Sequence, residues 1–340
     1  MRAIAINKWL ENVDEISVSD NVPEPELVKG QVLVQIKAIG LNFFEILEVQ
    51  GKYQQKFPFP FIPGAEFSGV IIKIHPETKN RKLKIGDRVF GQARGTYAER
   101  VAVQATNLHP ILDGMSFEDA AGLFITYPTS YAALVLRAQL KRNEWCLVHA
   151  GAGGVGIAAV QVAKALGAKV IATGGSIEKL AVASQNGADY VINYRDKDWT
   201  RQVKKITGDH GVDVVFDPVG LIEESMKCIA WNGRLVVIGF VSGKIEKISM
   251  NRVLLKNCAI LGLFWGAHYE YAEETVPVVW DALLHLFRTG RLRPVVYPKV
   301  FDGLENVKEG LKALEGRQTF GKVVVRQNSS KTDNVVQSKI

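Results

Sequence analysis

The chain has 340 residues, 47% hydrophobic and 23% charged, a balance ordinary for a globular enzyme and long enough for two domains with sizeable cores. It contains no apolar run of about 18 residues, so no transmembrane helix is expected, and Lys8, Glu11 and Asp14 interrupt any signal-peptide core at the start. The three cysteines, Cys146, Cys228 and Cys258, stand far apart with no C-x-x-C pair, which excludes a disulfide framework or a cysteine zinc site and fits a reducing, cytoplasmic setting. The net charge of +7 gives a mild pull on anionic ligands such as a phosphorylated cofactor. Lys and Arg are spread along the chain, and the small cluster "KNRKLK" (79–84) reads as a solvated turn, so nucleic-acid binding is not expected as a main role.

In chain order, the first third reads as β-rich. "GQVLVQIKAIGLN", "FSGVIIKIH", "GDRVFG" and "TYAERVAV" alternate apolar and polar residues like half-buried strands, with Gly and Pro between them. "FPFPFIPG" (57–64) has three prolines and must be a loop. From Ser116, "SFEDAAGLFITYPTSYAALVLRAQL" has a Ser N-cap, acidic residues behind it and helical spacing. Alternating units follow: strand "CLVHA", helix "GIAAVQVAKALG", strand "KVIATG", helix "SIEKLAVASQNG", strand "YVINY", helix "DWTRQVKKITG", strand "VDVVFDPV", helix "EESMKCIAW" and strand "GRLVVIGF". Repeated βα units with short connections predict an α/β fold with a doubly wound parallel sheet of Rossmann type. "VPVVWDALLHLFRTGRL" reads as helix, "YPKVFDGLENVKEGLKALEG" as strand and helix, and "GKVVVRQ" as a terminal strand before a polar tail. No internal repeat is visible.

Gly151, Gly153 and Gly156 satisfy G-x-G-x-x-G, with Gly154 as an extra glycine and Val155 between. Strand, glycines, helix and second strand all fall within about 30 residues, the context that makes the motif a dinucleotide cradle. The first glycine allows the turn, the second admits the pyrophosphate, and the third lets helix pack on strand. An NAD site usually offers Asp or Glu at the tip of the second strand. Here the tip is Thr173, Gly174, Gly175 and Ser176. Ser176 can donate a hydrogen bond to a 2′-phosphate, Lys179 can add charge, and Tyr194 can add a hydroxyl or a stacking face. The expected cofactor is therefore NADP, as NADPH.

"GLNFFE", "PGAEFSG", "GDRVFG", "TSYAAL", "GAGGVG", "GADYVINY" and "GKVVV" occur in that order. Together they resemble the medium-chain dehydrogenase/reductases, and more narrowly their zinc-independent quinone oxidoreductase (zeta-crystallin-like) branch. The resemblance covers residues 1–326. It implies a Rossmann domain inserted into a GroES-like β-rich catalytic domain: 1–125 as the first part of the catalytic domain, 126–265 as the Rossmann domain, 266–327 as the return, which the late strand and helix from about Val295 fit, and 328–340 as a flexible tail.

Zinc alcohol dehydrogenases of this superfamily place Cys in the loop matching "GLNFFE" and His in the motif matching "PGAEFSG". This chain has Asn42 and Ala65 there; Glu66 remains, and one carboxylate does not make a zinc site. No metal is expected. The resemblance places Asn42 and Tyr53 as catalytic residues lining the substrate pocket, where an amide and a phenol can donate to a developing oxyanion. It places Thr129 near the nicotinamide carboxamide. Phe240 and Val241 follow the strand "RLVVIGF" and are expected at the sheet's C-terminal edge, where ligands bind in open α/β folds, and Leu263, Phe264 and Trp265 end the next apolar strand, where they can border the nicotinamide. Lys322, in "GKVVV", joins the cofactor-binding set. His149 reads as a core or sheet-edge histidine.

The expected function is NADPH-dependent hydride transfer to quinones or other electron-poor enones. A 2-enoyl thioester or alkenal reductase, and a non-catalytic NADPH-binding or RNA-binding protein, stand as alternatives. A homodimer without membrane attachment is expected. The terminal Ser338-Lys339-Ile340 is near, but not identical to, the peroxisomal S-K-L address.

Overall fold

A computed structural model of the chain describes residues 1–79, 83–299 and 301–327. Residues 80–82 of the 79–84 basic cluster and the whole 328–340 tail, with the Ser338-Lys339-Ile340 address, therefore lie outside the described residues. Two compact units are present: unit 1 takes Met1–Phe124 and Val296–Ile340, and unit 2 takes Ile125–Val295.

Unit 1 begins on a long strand, β1 (Gln31–Leu41), whose Val32, Val34, Ile36, Ile39 and Leu41 are all buried. Asn42 ends it and opens helix α1 (Phe43–Val49). The strands β2 (Glu66–Ile74) and β4 (Arg100–Gln104) both pair antiparallel with β1. β3 (Arg88–Gln92) pairs with β2, and β5 (Leu108–Pro110) pairs with β3. The triple-proline loop carries an aromatic cluster, Phe59 and Phe61 lying against Trp9. Helix α2 (Phe117–Ala121) starts where Ser116 Oγ accepts the Asp119 N–H at 3.0 Å. The helical pattern read across 116–140 breaks here. Gly122 packs so tightly on the Lys322 side chain that a Cβ would come within 2.8 Å of it, and the unit boundary follows two residues later.

Unit 2 resumes with α3 (Thr126–Tyr131), which runs into a π-helical turn (Ala132–Arg137). Its sheet is parallel throughout: β6 (Trp145–Val148), β7 (Lys169–Gly174), β8 (Tyr190–Asn193), β9 (Val212–Asp217), β10 (Ile229–Val237) and β11 (Ala259–Gly262), in the order β11-β10-β9-β6-β7-β8. The central strands β6, β7 and β9 are mostly buried, as covered parallel strands must be, while the edge strands β8 and β11 are largely half-buried or exposed. Connecting helices are α4 (Gly154–Ala165), α5 (Ile177–Gln185), α6 (Trp199–Ile206), α7 (Ile222–Ser225) and α8 (Met250–Lys256). Because β7 and β8 extend one way from β6 while β9 lies on its other side, the order reverses at the end of β6. That switch point is where ligands bind in doubly wound sheets.

The segment "EESMKCIAW" is helical only to Ser225. Cys228 already offers its carbonyl to the Val212 N–H, and Ile229 begins β10 in register with Val212. Helix α8 lies in a stretch where the sequence pattern predicts no element. Two further helices, α9 (His268–Tyr271) and α10 (Thr275–Arg288), complete unit 2. The sequence reading gives 266–295 to the return, but α10 buries Trp280, Leu283 and Phe287 within unit 2, with Phe287 edge-on to Tyr127 at 4.8 Å.

The chain then completes unit 1 with β12 (Phe301–Asp302), α11 (Val307–Glu315) and β13 (Val323–Arg326). β13 pairs antiparallel with β1, Leu41 opposite Val323, and the sheet reads β12-β13-β1-β2-β3-β5 with β4 also on β1. This register brings Lys322 to the junction of β1 and α1. The architecture is the expected one: a Rossmann-type parallel sheet whose sequence interrupts a GroES-like β-rich unit. No helix among the described residues is long and apolar enough to cross a membrane.

Candidate active site: a glycine turn and a buried ionic ring

In unit 2, β6 ends at Val148 and the turn that follows is tightly built. Ala150 holds a positive φ of 48°, and its carbonyl accepts the Gly153 N–H at 2.8 Å. The three motif glycines are needed for different reasons. A Cβ on Gly156 would lie 2.0 Å from the Ala150 carbonyl oxygen, and one on Gly151 would lie 2.7 Å from the Ala172 methyl. Those two serve helix-on-strand packing. A Cβ on Gly153 meets only the Ala150 oxygen, at 3.4 Å, so its outer side is open. Gly153 is the N-cap of α4, and Gly154, Val155 and Gly156 form its first turn, whose free N–H groups face an incoming phosphate. The residues therefore fit a dinucleotide.

At the end of β7, Ser176 caps α5, its Oγ accepting the Lys179 N–H at 3.3 Å. The Ser176 hydroxyl is exposed and keeps its proton for another acceptor. The Tyr194 hydroxyl lies against Gly175, 2.5 Å from where a Cβ would stand. Gly175, Ser176, Lys179 and Tyr194 thus form one small group.

Elsewhere in unit 2, Thr129 Oγ1 donates to the Ile125 carbonyl at 2.6 Å within α3. Phe240 and Val241 are partly exposed after β10, and Phe264 is exposed after β11. Trp265 is buried, its ring stacked on His268 at 4.8 Å. His149 is fully buried between Thr173 Oγ1 at 3.0 Å and Ser225 Oγ at 2.8 Å. Ser225 already donates to Leu221, so it accepts from Nε2–H, and Nδ1 accepts from Thr173. Burial pushes the His149 pKa down. A neutral imidazole with both nitrogens engaged matches a core role.

Unit 1 holds a polar cluster that sequence reasoning found only in parts. Lys322 Nζ donates to the Leu41 carbonyl at 2.8 Å, to Asn42 Oδ1 at 2.8 Å and to Glu66 Oε1 at 2.6 Å. Asn42 Nδ2 donates to the same Glu66 oxygen at 3.0 Å, which closes a ring of three side chains. All three are buried. The three ammonium protons are spent inside unit 1, an arrangement that the reading of Lys322 as a cofactor contact did not include. The orientation of the Asn42 amide follows: its oxygen must face the ammonium and its nitrogen the carboxylate.

Beside this ring lies Glu45, also fully buried. It accepts the Asn42 N–H at 2.7 Å, the Ala65 N–H at 3.0 Å and the Tyr97 O–H at 2.5 Å. Burial pushes its carboxyl up to about 7 against these donors and against Lys322. Burial and Glu45 together push the Tyr97 phenol well above its ordinary range. Glu45 and Tyr97 went unnoticed in the sequence. The signal was there in "NFFE", where Glu three residues after an N-cap Asn is the reaching-back half of a capping box. Tyr53 is half-buried against Phe44 at 5.4 Å, its phenol raised by burial and by Glu48.

These residues do not fit zinc. Position 42 offers an amide and position 65 a methyl, and an ammonium already sits between Asn42 and Glu66. No group of three or more His, Cys, Asp or Glu that could hold a metal occurs among the described residues.

Two outcomes follow from this geometry. Gly153→Ala keeps the thermal midpoint close to wild type but weakens dinucleotide binding about tenfold or more by fluorescence titration, whereas Gly156→Ala costs more than about 2 kcal/mol in urea unfolding. For Glu45, the folded state binds the proton more tightly than the unfolded chain. Its contribution to stability is therefore fullest below its ordinary pKa of 4.5, falls as pH rises toward about 7, and is constant above. Unfolding free energies of wild type and Glu45→Gln, measured from pH 4.5 to 8, should diverge in favour of the variant by an amount on the order of 2–3 kcal/mol across that window. A pH-independent difference would contradict the assignment.

Two family models match: the alcohol dehydrogenase GroES-like domain over residues 28–113, and the zinc-binding dehydrogenase model over 154–281. The second span lies in unit 2, away in sequence from positions 42, 65 and 66. The quinone oxidoreductase-like protein 2 homolog of Nematostella vectensis is 37% identical over 91% of this chain and 85% of its own length. The quinone oxidoreductase of Escherichia coli, solved with NADPH, superimposes with a TM-score of 0.86 at 30% identity, covering 96% of this chain and all of that one. A structure described as an NAD-dependent alcohol dehydrogenase gives 0.85 at 31% identity over 96% of this chain and 99% of that one. The chain belongs to the medium-chain dehydrogenase/reductase superfamily, in its quinone oxidoreductase-like branch.

Proposed function

We propose that the protein is an NADPH-dependent reductase that passes hydride to quinones or similarly electron-poor enones without a metal. When bound, NADPH supplies the hydride; the quinone takes it with one proton and leaves as the hydroquinone. The chain's own part is to hold the coenzyme, orient the acceptor and stabilise the oxygen on which negative charge develops. Gly151–Gly156 and the first turn of α4 take the pyrophosphate. Ser176 and Lys179 take the 2′-phosphate, with Tyr194 closing the adenosine side. Thr129, Phe240, Val241 and Phe264 contact the nicotinamide half, and Asn42 and Tyr53 serve the acceptor.

The observation that carries this reading is the donor set in unit 1. Where zinc relatives place metal ligands, this chain places a buried amide held by hydrogen bonds to an ion pair. Donors suffice for a quinone or enone, whose hydride adduct is a delocalised, weakly basic anion. The second-strand tip favours NADPH over NADH, since no carboxylate stands at 173–176 to repel a 2′-phosphate. A homodimer agrees with the open edge of the parallel sheet, where β11 has β10 on one side, and Met250, Leu254 and Leu255 of the neighbouring α8 are 68–78% exposed.

The test offers purified protein NADPH or NADH together with an ortho-quinone, a para-quinone, an alkenal and an enoyl thioester. Quinone turnover with NADPH is expected, and turnover of none of the four would refute the reading. Ser176→Asp keeps a good helix cap while setting a carboxylate against the phosphate. It should raise the KM for NADPH about 10- to 100-fold with little change in that for NADH. Sedimentation should show a dimer for wild type and a monomer for the Leu254→Glu, Leu255→Glu double variant.

A further inference from the structure

The ionic ring of unit 1 has a consequence for the acceptor side, and it rests on the reductase reading above. Asn42 Nδ2 carries two protons. One goes to Glu66 Oε1 at 3.0 Å. The other meets only long contacts, the Gly40 carbonyl at 3.4 Å and Glu45 Oε1 at 3.5 Å. It is the weakly held proton of the ring, and the one an acceptor oxygen can compete for. At the opposite end of the same amide, Oδ1 accepts from a fully coordinated ammonium at 2.8 Å. A cation on the oxygen of an amide draws electron density from its nitrogen and makes the N–H a stronger donor. Burial of the ring strengthens that polarisation, because water does not screen it.

We propose that Lys322 is a positioning and polarising residue for the reduction: its ammonium, acting through Asn42, is the built-in cation that activates the acceptor oxygen. Glu66 holds the ammonium in place at 2.6 Å and fixes the amide's orientation from the other end. Lys322 arrives from the far end of the chain, 280 positions after Asn42, and only the β13–β1 pairing brings the two together. The charge is therefore supplied by the fold and needs no exchangeable ion.

The test compares wild type, Lys322→Met and Lys322→Arg on para-benzoquinones of graded electron demand, with NADPH deuterated at the transferred position to confirm that hydride transfer limits the rate. Lys322→Met is expected to lower kcat about tenfold on electron-rich quinones and less on electron-poor ones, with the KM for NADPH unchanged. Lys322→Arg should recover much of the loss. In an Asn42→Ala background, Lys322→Met should cost nothing further. If loss of the ammonium unfolds the protein by leaving Glu66 uncompensated, the neutral pair Lys322→Gln with Glu66→Gln carries the same expectation. A raised KM for NADPH with unaltered acceptor dependence would instead make Lys322 a coenzyme contact and overturn the proposal. An equal loss across all quinones that persists in the Asn42→Ala background would make it merely structural. A wild-type protein that reduces no quinone would remove the reductase reading itself, and this inference with it, before any variant is compared.

Discussion

A lysine ammonium buried without partners would be among the costliest groups a small domain could hold. Unit 1 is arranged around meeting that cost at Lys322. The ammonium finds three oxygens, and two of them, from Leu41 and Asn42, lie at the point where β1 gives way to α1. The third, from Glu66, opens β2. The contact can form only when the chain returns after the whole of unit 2 and lays β13 against β1. Strand register, helix start and the ion pair thus depend on one another. The same dependence explains why Gly122 must be glycine, since the Lys322 stem occupies the space of its missing side chain.

The parallel sheet obeys a different constraint. Its central strands β6, β7 and β9 are largely buried, which leaves strand ends and the turns beyond them as the places open to chemistry. At the end of β6 the turn is specified by close packing: a Cβ added to Gly151 or Gly156 would come within 3 Å of a neighbouring atom, while Gly153 is left open. One motif therefore contains two kinds of glycine, for folding and for ligand approach. At the end of β7, Ser176 is both a helix cap and an exposed hydroxyl, so under the proposed function a single residue serves stability and coenzyme choice.

Much of this was legible in the sequence. The βα alternation from Cys146 onward, the glycine spacing and the acid-free tip at 173–176 are local signals, and local signals survive in a linear reading. What escaped was long-range or hidden inside a familiar pattern. "SFEDAAGLFITYPTSYAALVLRAQL" has helical spacing throughout, yet Gly122 splits it because Lys322, two hundred residues on, packs there. "EESMKCIAW" is helical by propensity, but pairing with Val212 claims Ile229 for the sheet. Asn42 and Glu66 were each singled out, and so was Lys322, but nothing in their spacing says that the three form one ring. Glu45 and Tyr97 look like ordinary surface types, and only the folded register buries them together.

An ammonium fixed by the fold lies between Asn42 and Glu66, beside the positions where the family resemblance puts the zinc ligands of the metal-dependent members, and it does so stably. Crystals grown in excess zinc, with diffraction measured at the zinc absorption edge, address this directly. No anomalous peak is expected beside Glu66, with Lys322 Nζ still bridging Asn42 Oδ1 and the carboxylate. A peak at about 2.0–2.2 Å from the Glu66 carboxylate, with the lysine displaced, would contradict it.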